Sequence, residues 1–155
     1  MKERIGVYIC HCGGNISDYV DVEELGKMFH AEDNVVISKD VMFACADSNQ
    51  KSMINDINEY KLDAIVVASC SPKLHLHTFK NVALRAGLNP TNYVQVNIRE
   101  QCSWPHSDQP REATVKAAGL IRAGINRVSH SESLDNIEIS VKKSALVVGA
   151  GISGM

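Results

Sequence analysis

The chain has 155 residues, of which 45% are hydrophobic, 22% are charged and 5% are aromatic. This is the size of one domain with ordinary globular composition, which excludes a disordered tail, a collagen-like repeat and a small disulfide scaffold. The net charge of -2 gives no basic surface of the kind that phosphate-backbone binding needs, so the composition argues against nucleic acid as a partner.

Targeting signals and cysteine usage point to one compartment. The first apolar run, residues 5–10, is too short for a secretory signal, and no apolar stretch approaches the roughly 20 residues of a membrane span. We therefore expect a cytoplasmic protein with no membrane span. Thiols stay reduced there, so five cysteines indicate metal binding or catalysis rather than disulfide bonds.

Strand-like and helix-like segments alternate along the chain. Short apolar, β-branched runs predict strands, and apolar residues at helical spacing predict the helices between them. Asp21 and Glu24 have the spacing of a capping box, and Ser71 before Pro72 is typical of a helix start. The predicted strands are 5–9, 35–43, 64–68 and 93–98, and the predicted helices are 22–29, 53–60, 72–86 and about 109–128.

This order predicts an α/β fold with a doubly wound, mainly parallel sheet and flavodoxin- or Rossmann-like layering over residues 1–128. Residues 129–144 are predicted to be a linker with one short strand, because Ile137, Ile139 and Val141 alternate with polar residues. Residues 145–155 are predicted to be the first strand and turn of a truncated second domain.

The glycines of that turn have the spacing of a dinucleotide-binding motif. Gly149, Gly151 and Gly154 form G-x-G-x-x-G directly after the apolar run 145–148. Such glycines allow a tight turn and the close approach of a pyrophosphate to a helix N-terminus. The alternative is an ordinary glycine-rich tail.

Four cysteines follow the four predicted strands. Cys10, Cys45, Cys70 and Cys102 lie at or just beyond the strand ends, and Cys12 joins them from the loop after the first strand. The carboxyl ends of parallel strands share one edge of a sheet, so we expect these thiols to be neighbours. Thiolates from several loops are typical ligands of iron–sulfur clusters. The alternatives are cysteines that only pack at strand ends, or a thiol-redox site, favoured at Cys70 by the following helix N-terminus.

Histidine and tryptophan add little to this prediction. His75 and His77 are two residues apart on a predicted helix and share no face, so they make a poor chelate. His11 and His106 lie near the cysteines, where we expect hydrogen bonding rather than ligation. Trp104 is predicted to pack in the core.

Three segments with cysteines, 7–16 (VYICHCGGNI), 66–73 (VVASCSPK) and 97–104 (NIREQCSW), resemble the N-terminal region of the iron–sulfur A subunit of heterodisulfide reductase. The resemblance covers nearly the whole chain and includes the glycine-rich turn. It implies a flavin- and iron–sulfur-containing subunit of a complex that reduces the mixed disulfide of coenzyme M and coenzyme B. In many members this is coupled to ferredoxin reduction by flavin-based electron bifurcation.

The resemblance also implies cofactors and partners. FAD in the full-length subunit would bind at Gly149, Gly151 and Gly154, a site that is incomplete here. A [4Fe–4S] cluster would take its ligands from the five cysteines; we expect Cys12, Cys45, Cys70 and Cys102, with Cys10 as the alternative because it can point into the sheet. Expected partners are the other reductase subunits, an electron-donating hydrogenase or dehydrogenase module, and ferredoxin.

Three hypotheses therefore follow. The chain is an electron-transfer domain with one cluster, a metal-free docking module, or a thiol-redox domain of a related anaerobic oxidoreductase.

Overall fold

The computed structural model describes residues 4–135 and 137–155. Residues 1–3 of the predicted domain 1–128 and Asn136 of the predicted linker lie outside the described residues. The sheet has four parallel strands in the order β2-β1-β3-β4. Their bounds are β1 Ile5–Cys10, β2 Val35–Val41, β3 Ala64–Ser69 and β4 Tyr93–Asn97.

Four helices connect and cover the strands: α1 Val22–His30, α2 Asp47–Glu59, α3 Pro72–Arg85 and α4 Pro110–Ser129. Helices α1 and α4 pack on one face of the sheet, and α2 and α3 pack on the other. The predicted α/β fold with a doubly wound parallel sheet is confirmed. Three short turns complete this part of the chain, Cys12–Gly14, Pro90–Asn92 and Arg99–Ser103, the last of them π-helical.

The two central strands explain why the sheet needs helices on both faces. Every residue of β1 and β3 is buried, and successive side chains point to opposite faces. Val7 and Val66, which are register partners, pack with α1 and α4, whereas Tyr8 and Val67 pack with α2 and α3. Continuous apolar runs of this kind are typical of strands buried on both sides.

Both predicted helix caps are confirmed. The carboxylate of Asp21 accepts a hydrogen bond from the Glu24 amide at 2.8 Å and begins α1. The hydroxyl of Ser71 accepts one from the Lys73 amide at 3.2 Å, with Pro72 in the first turn of α3. These side chains satisfy amide groups that have no partner within the helix.

Beyond α4 the chain returns to the start of β4. The side chains of Asn89 and Thr91 donate to the carbonyls of Leu134 and Glu132, at 2.9 and 2.8 Å. The strands predicted at 137–141 and 145–148 are not formed in the structure, and their apolar side chains are exposed. A strand forms only beside a second strand, and these two segments pair with none in the described residues.

Candidate metal centre

The carboxyl ends of β1 and β3 form the crevice of the sheet. After β1 the chain forms β2 on one side of β1, and it then crosses to the other side of β1 to form β3 and β4. The direction of the strand order therefore reverses between β1 and β3. Ligand sites of open α/β sheets lie at such a switch point. Cys10 ends β1, Cys12 begins the next turn, and Cys70 follows β3, so these three cysteines lie around the crevice.

The turn after β1 is left-handed along its whole length. Cys12, Gly13 and Gly14 have φ of 56°, 60° and 98°. A Cβ atom at Gly13 would lie 2.8 Å from the ring of Phe43, which explains why a glycine occupies this position. Cys12 has a Cβ atom and adopts this conformation at an energetic cost, and such strain concentrates at functional sites.

The sulfur of Cys10 is enclosed by backbone groups. It accepts hydrogen bonds from the amides of Cys12 and Ala44, both at 3.3 Å, and donates to the carbonyl of Met42 at 3.8 Å. Burial raises the pKa of Cys10 to about 11, although the two amides lower it. Cys10 is therefore a neutral thiol that joins the loop after β1 to the loop after β2.

Three other thiols interact across the crevice. Burial raises the pKa of Cys70, the charge of Arg99 opposes this, and the charges of Cys12, Glu100 and Cys45 raise the pKa further. Cys12 and Cys45 are partly buried, and Cys12 packs against the cores on both faces of the sheet. The structure therefore brings Cys12, Cys45 and Cys70 to one edge, as the strand positions predict.

Cys102 has a different environment. It lies in the π-helical turn Arg99–Ser103 and is fully buried in the core on the α1 and α4 face. Burial raises its pKa, and the charge that opposes this comes from Lys116 on α4. A single π-helical turn is an irregularity found mostly at functional sites.

Arg99, which the sequence pattern did not single out, contacts Cys12 directly. One terminal nitrogen of its guanidinium, Nη1, donates to Cys12 Sγ at 3.2 Å, and the other, Nη2, pairs with Glu100 Oε1 at 3.0 Å. The third nitrogen, Nε, is buried and has no hydrogen-bond partner in the described residues. The signal that was available is a basic residue two positions after β4, the last strand of the sheet.

Glu100 and Trp104 hold Arg99 in place. The second carboxylate oxygen of Glu100 accepts a hydrogen bond from the amide of Ser71 at 3.0 Å. The guanidinium carbon of Arg99 lies 4.7 Å from the centre of the Trp104 ring, a cation–π contact. Trp104 is 50% exposed, so the prediction that it packs in the core is wrong.

Three histidines contact side chains other than the cysteines. His11 pairs with Asp40 at 2.8 Å, and His106 contacts Lys116 Nζ at 3.1 Å. His75 packs edge-on against Phe79. Within residues 4–135 and 137–155, no three His, Cys, Asp or Glu side chains are arranged to hold a metal ion.

The glycine-rich turn has one feature that fits its motif. Gly149 has φ of 119°, and Gly154 lies so close to the Gly149 carbonyl that a side chain there would clash. Gly151 has open space around it. The dinucleotide site assigned to these glycines stays a prediction.

Among the described helices, none is long and apolar enough to cross a membrane.

Fold and site together define a class: a doubly wound α/β module with several thiols and a guanidinium at the switch point of its sheet.

No protein-family model matches the chain. It is 47% identical over 152 residues to the A subunit of the ferredoxin/F420H2-dependent CoB-CoM heterodisulfide reductase of Methanosarcina acetivorans, covering 98% of this chain and 19% of that protein. It is 45% identical to the second iron-sulfur A subunit of the Methanopyrus kandleri CoB-CoM heterodisulfide reductase, covering 99% of this chain and 24% of that protein.

A third relative is the A subunit of the H2:CoB-CoM heterodisulfide,ferredoxin reductase of Methanothermobacter thermautotrophicus, at 44% identity over the whole chain and 24% of that protein. These comparisons confirm the resemblance to the A subunit of heterodisulfide reductase. The chain is homologous to a part of that oxidoreductase component. It spans about a fifth to a quarter of the length of these curated relatives.

Proposed function

We propose that this chain is the electron-transfer module of a heterodisulfide reductase component and binds one [4Fe–4S] cluster at the switch point. The observation that carries the proposal is the contact of Arg99 with Cys12 Sγ, beside thiols that interact with one another. A guanidinium favours ionised sulfur, and thiolates are the ligands of iron–sulfur clusters. The name of the Methanopyrus kandleri relative, which calls it an iron-sulfur protein, supports the same cofactor.

The residue type of the donor set supports this group, because cysteine thiolates are the usual ligands of iron–sulfur clusters. Cys12, Cys45 and Cys70 come from the loops after three neighbouring strands, and the buried Nε of Arg99 offers a donor for an acceptor at this edge. We propose these three cysteines as ligands, with Cys102 as the fourth and Cys10 as its alternative. The bound cluster would accept and release one electron at a time. The protein holds the sulfurs, excludes water and supplies the positive charge of Arg99.

The reaction of the whole protein is also a proposal. We propose that the module serves reduction of the CoM-S-S-CoB disulfide in a multi-subunit complex, with FAD at the glycine-rich turn and electron bifurcation to ferredoxin. The names of the relatives mention F420H2, H2 and ferredoxin, which supports partners that donate or accept electrons. Such partners are a hydrogenase or dehydrogenase module and ferredoxin itself.

Iron content tests the proposal directly. The 155-residue chain is purified without oxygen, iron and acid-labile sulfide are measured, and electron paramagnetic resonance (EPR) spectra are recorded after reduction. About four iron and four sulfide per chain with a reduced-cluster signal are expected. A Cys70→Ser variant should lose most of this iron.

A specific result would contradict the proposal. Folded chain that contains no metal, resists reconstitution and shows five free thiols once it is denatured would contradict the proposal. The docking module and the thiol-redox domain would then remain. Reactivity of the thiols toward a small disulfide then separates these two, because only the redox domain exchanges rapidly.

A further inference from the structure

Two adjacent residues of opposite charge connect the loops that carry Cys12 and Cys70. Arg99 donates to Cys12 Sγ at 3.2 Å, and Glu100 accepts from the Ser71 amide, next to Cys70, at 3.0 Å. Arg99 and Glu100 pair with each other at 3.0 Å. This chain of contacts spans the crevice from the end of β1 to the end of β3.

The surroundings fix Arg99 and keep its charge effective. Its side chain is 15% exposed, and the Trp104 ring covers it at 4.7 Å. Solvent screens a charge in such an environment less than it screens a charge on the surface. Glu100 is 27% exposed on the other side of the pair. A positive charge therefore lies against the sulfur of Cys12, with a negative charge behind it.

We infer that Arg99 and Glu100 set the reduction potential of the cluster in opposite directions. The inference rests on the proposed function, because it concerns the cluster proposed there. A thiolate-ligated cluster becomes more negative when it gains an electron, so a nearby positive charge stabilises the reduced state and a nearby negative charge destabilises it. The hydrogen bond from Arg99 to sulfur acts in the same direction as its charge. Both residues are positioning residues that act through Cys12 and Cys70.

The test compares three variants of the 155-residue chain purified without oxygen: Arg99→Gln, Arg99→Lys and Glu100→Gln. Iron and sulfide per chain are measured first, and the midpoint potential is then determined by redox titration followed by EPR. We expect the midpoint potential to become more negative in Arg99→Gln and more positive in Glu100→Gln. In Arg99→Lys, which keeps the charge, it should stay closer to the wild-type value.

The opposite signs separate this role from a structural one. Loss of a structural contact would reduce iron content in both variants without shifting the potential of the remaining cluster in opposite directions. Unchanged potentials, or shifts of the same sign, would overturn the inference while wild-type iron content upholds the proposed function. If Arg99→Gln retains no iron, Glu100→Gln alone tests the inference. A more positive midpoint potential in that variant upholds the inference, and an unchanged or more negative one overturns it. Wild-type chain without iron would overturn the proposed function and this inference together.

Discussion

A single sulfur organises two loops of the candidate metal centre. Cys10 accepts hydrogen bonds from the amide of Cys12 and from the amide of Ala44, the residue before Cys45. Cys10 is 4% exposed and Ala44 is fully buried, so the hydrogen bond from the Ala44 amide is shielded from water. Cys10 therefore supports the positions of two proposed ligands without being one of the four we prefer.

Replacing this sulfur tests that role. Cys10→Ala leaves two amides without their acceptor, and the loss at the buried amide of Ala44 alone costs roughly 1–3 kcal/mol. We expect the free energy of unfolding of the metal-free chain to fall by at least this amount in urea denaturation. The EPR line shape of the iron-loaded variant should stay that of the wild type, because the ligands are unchanged.

The half-buried Cys45 is the matched control. Cys45→Ala should remove the cluster and change the free energy of unfolding less than Cys10→Ala does. If Cys10→Ala instead lost the cluster and kept its stability, Cys10 would be a ligand.

Helix α4 fixes the spacing of the sheet on its face through one glycine. A Cβ atom at Gly124 would lie 2.5 Å from a methyl group of Val96 and 3.4 Å from one of Val66. Gly119 lies on the same helix, is exposed, and has nothing within 4 Å of the corresponding position. The two glycines differ only in whether β3 and β4 approach them.

This difference predicts opposite effects of the same substitution. Gly124→Ala should lower the free energy of unfolding by about 1–3 kcal/mol, because an added methyl group forces the helix away from the sheet. Gly119→Ala should raise it by up to about 1 kcal/mol, because alanine is the better helix former. Urea denaturation of the metal-free chain measures both. Equal effects at the two positions would show that α4 does not pack against the sheet as described.

Elements were predictable where apolar residues carried the pattern. The strands and α4 were found because their buried faces are apolar and periodic. The start of α2 at Asp47 was missed because residues 47–52 are polar, and the side chain of Arg99 was missed because its partner, Cys12, is 87 residues away. The strand predicted at 137–141 is not formed in the described residues, and alternation indicates a half-buried strand only where a neighbouring strand exists.

Among the described residues, burial raises the pKa of five acidic groups above its ordinary value. These groups are Tyr8, Cys10, Cys70, Tyr93 and Cys102. All five are neutral when protonated, and the fold favours that form. The unfolded chain therefore releases their protons at lower pH than the folded chain does.

Linkage turns this into a pH dependence of stability. A group with a raised pKa contributes fully below its unfolded value and loses this contribution as the pH rises through the folded value. For Cys10 the window runs from 9.0 to about 11. The free energy of unfolding of the metal-free chain should therefore fall as the pH increases over this range, with a smaller slope in Cys10→Ala. Urea denaturation at a series of pH values measures it, and constant stability up to pH 11 would contradict the burial of these groups.

The parallel sheet also orders events during synthesis of the chain. β1 pairs with β2 and β3, and the Arg99–Ser103 turn that completes the crevice lies beyond β4. A growing chain that has exposed Cys10 and Cys12 must wait for nearly ninety more residues before the Arg99 contact can form. Parallel pairings of this kind are slow to form, so the contact between Arg99 and Cys12 is completed late. Until Arg99 has been synthesised, the thiol of Cys12 lacks the guanidinium that contacts it in the folded chain.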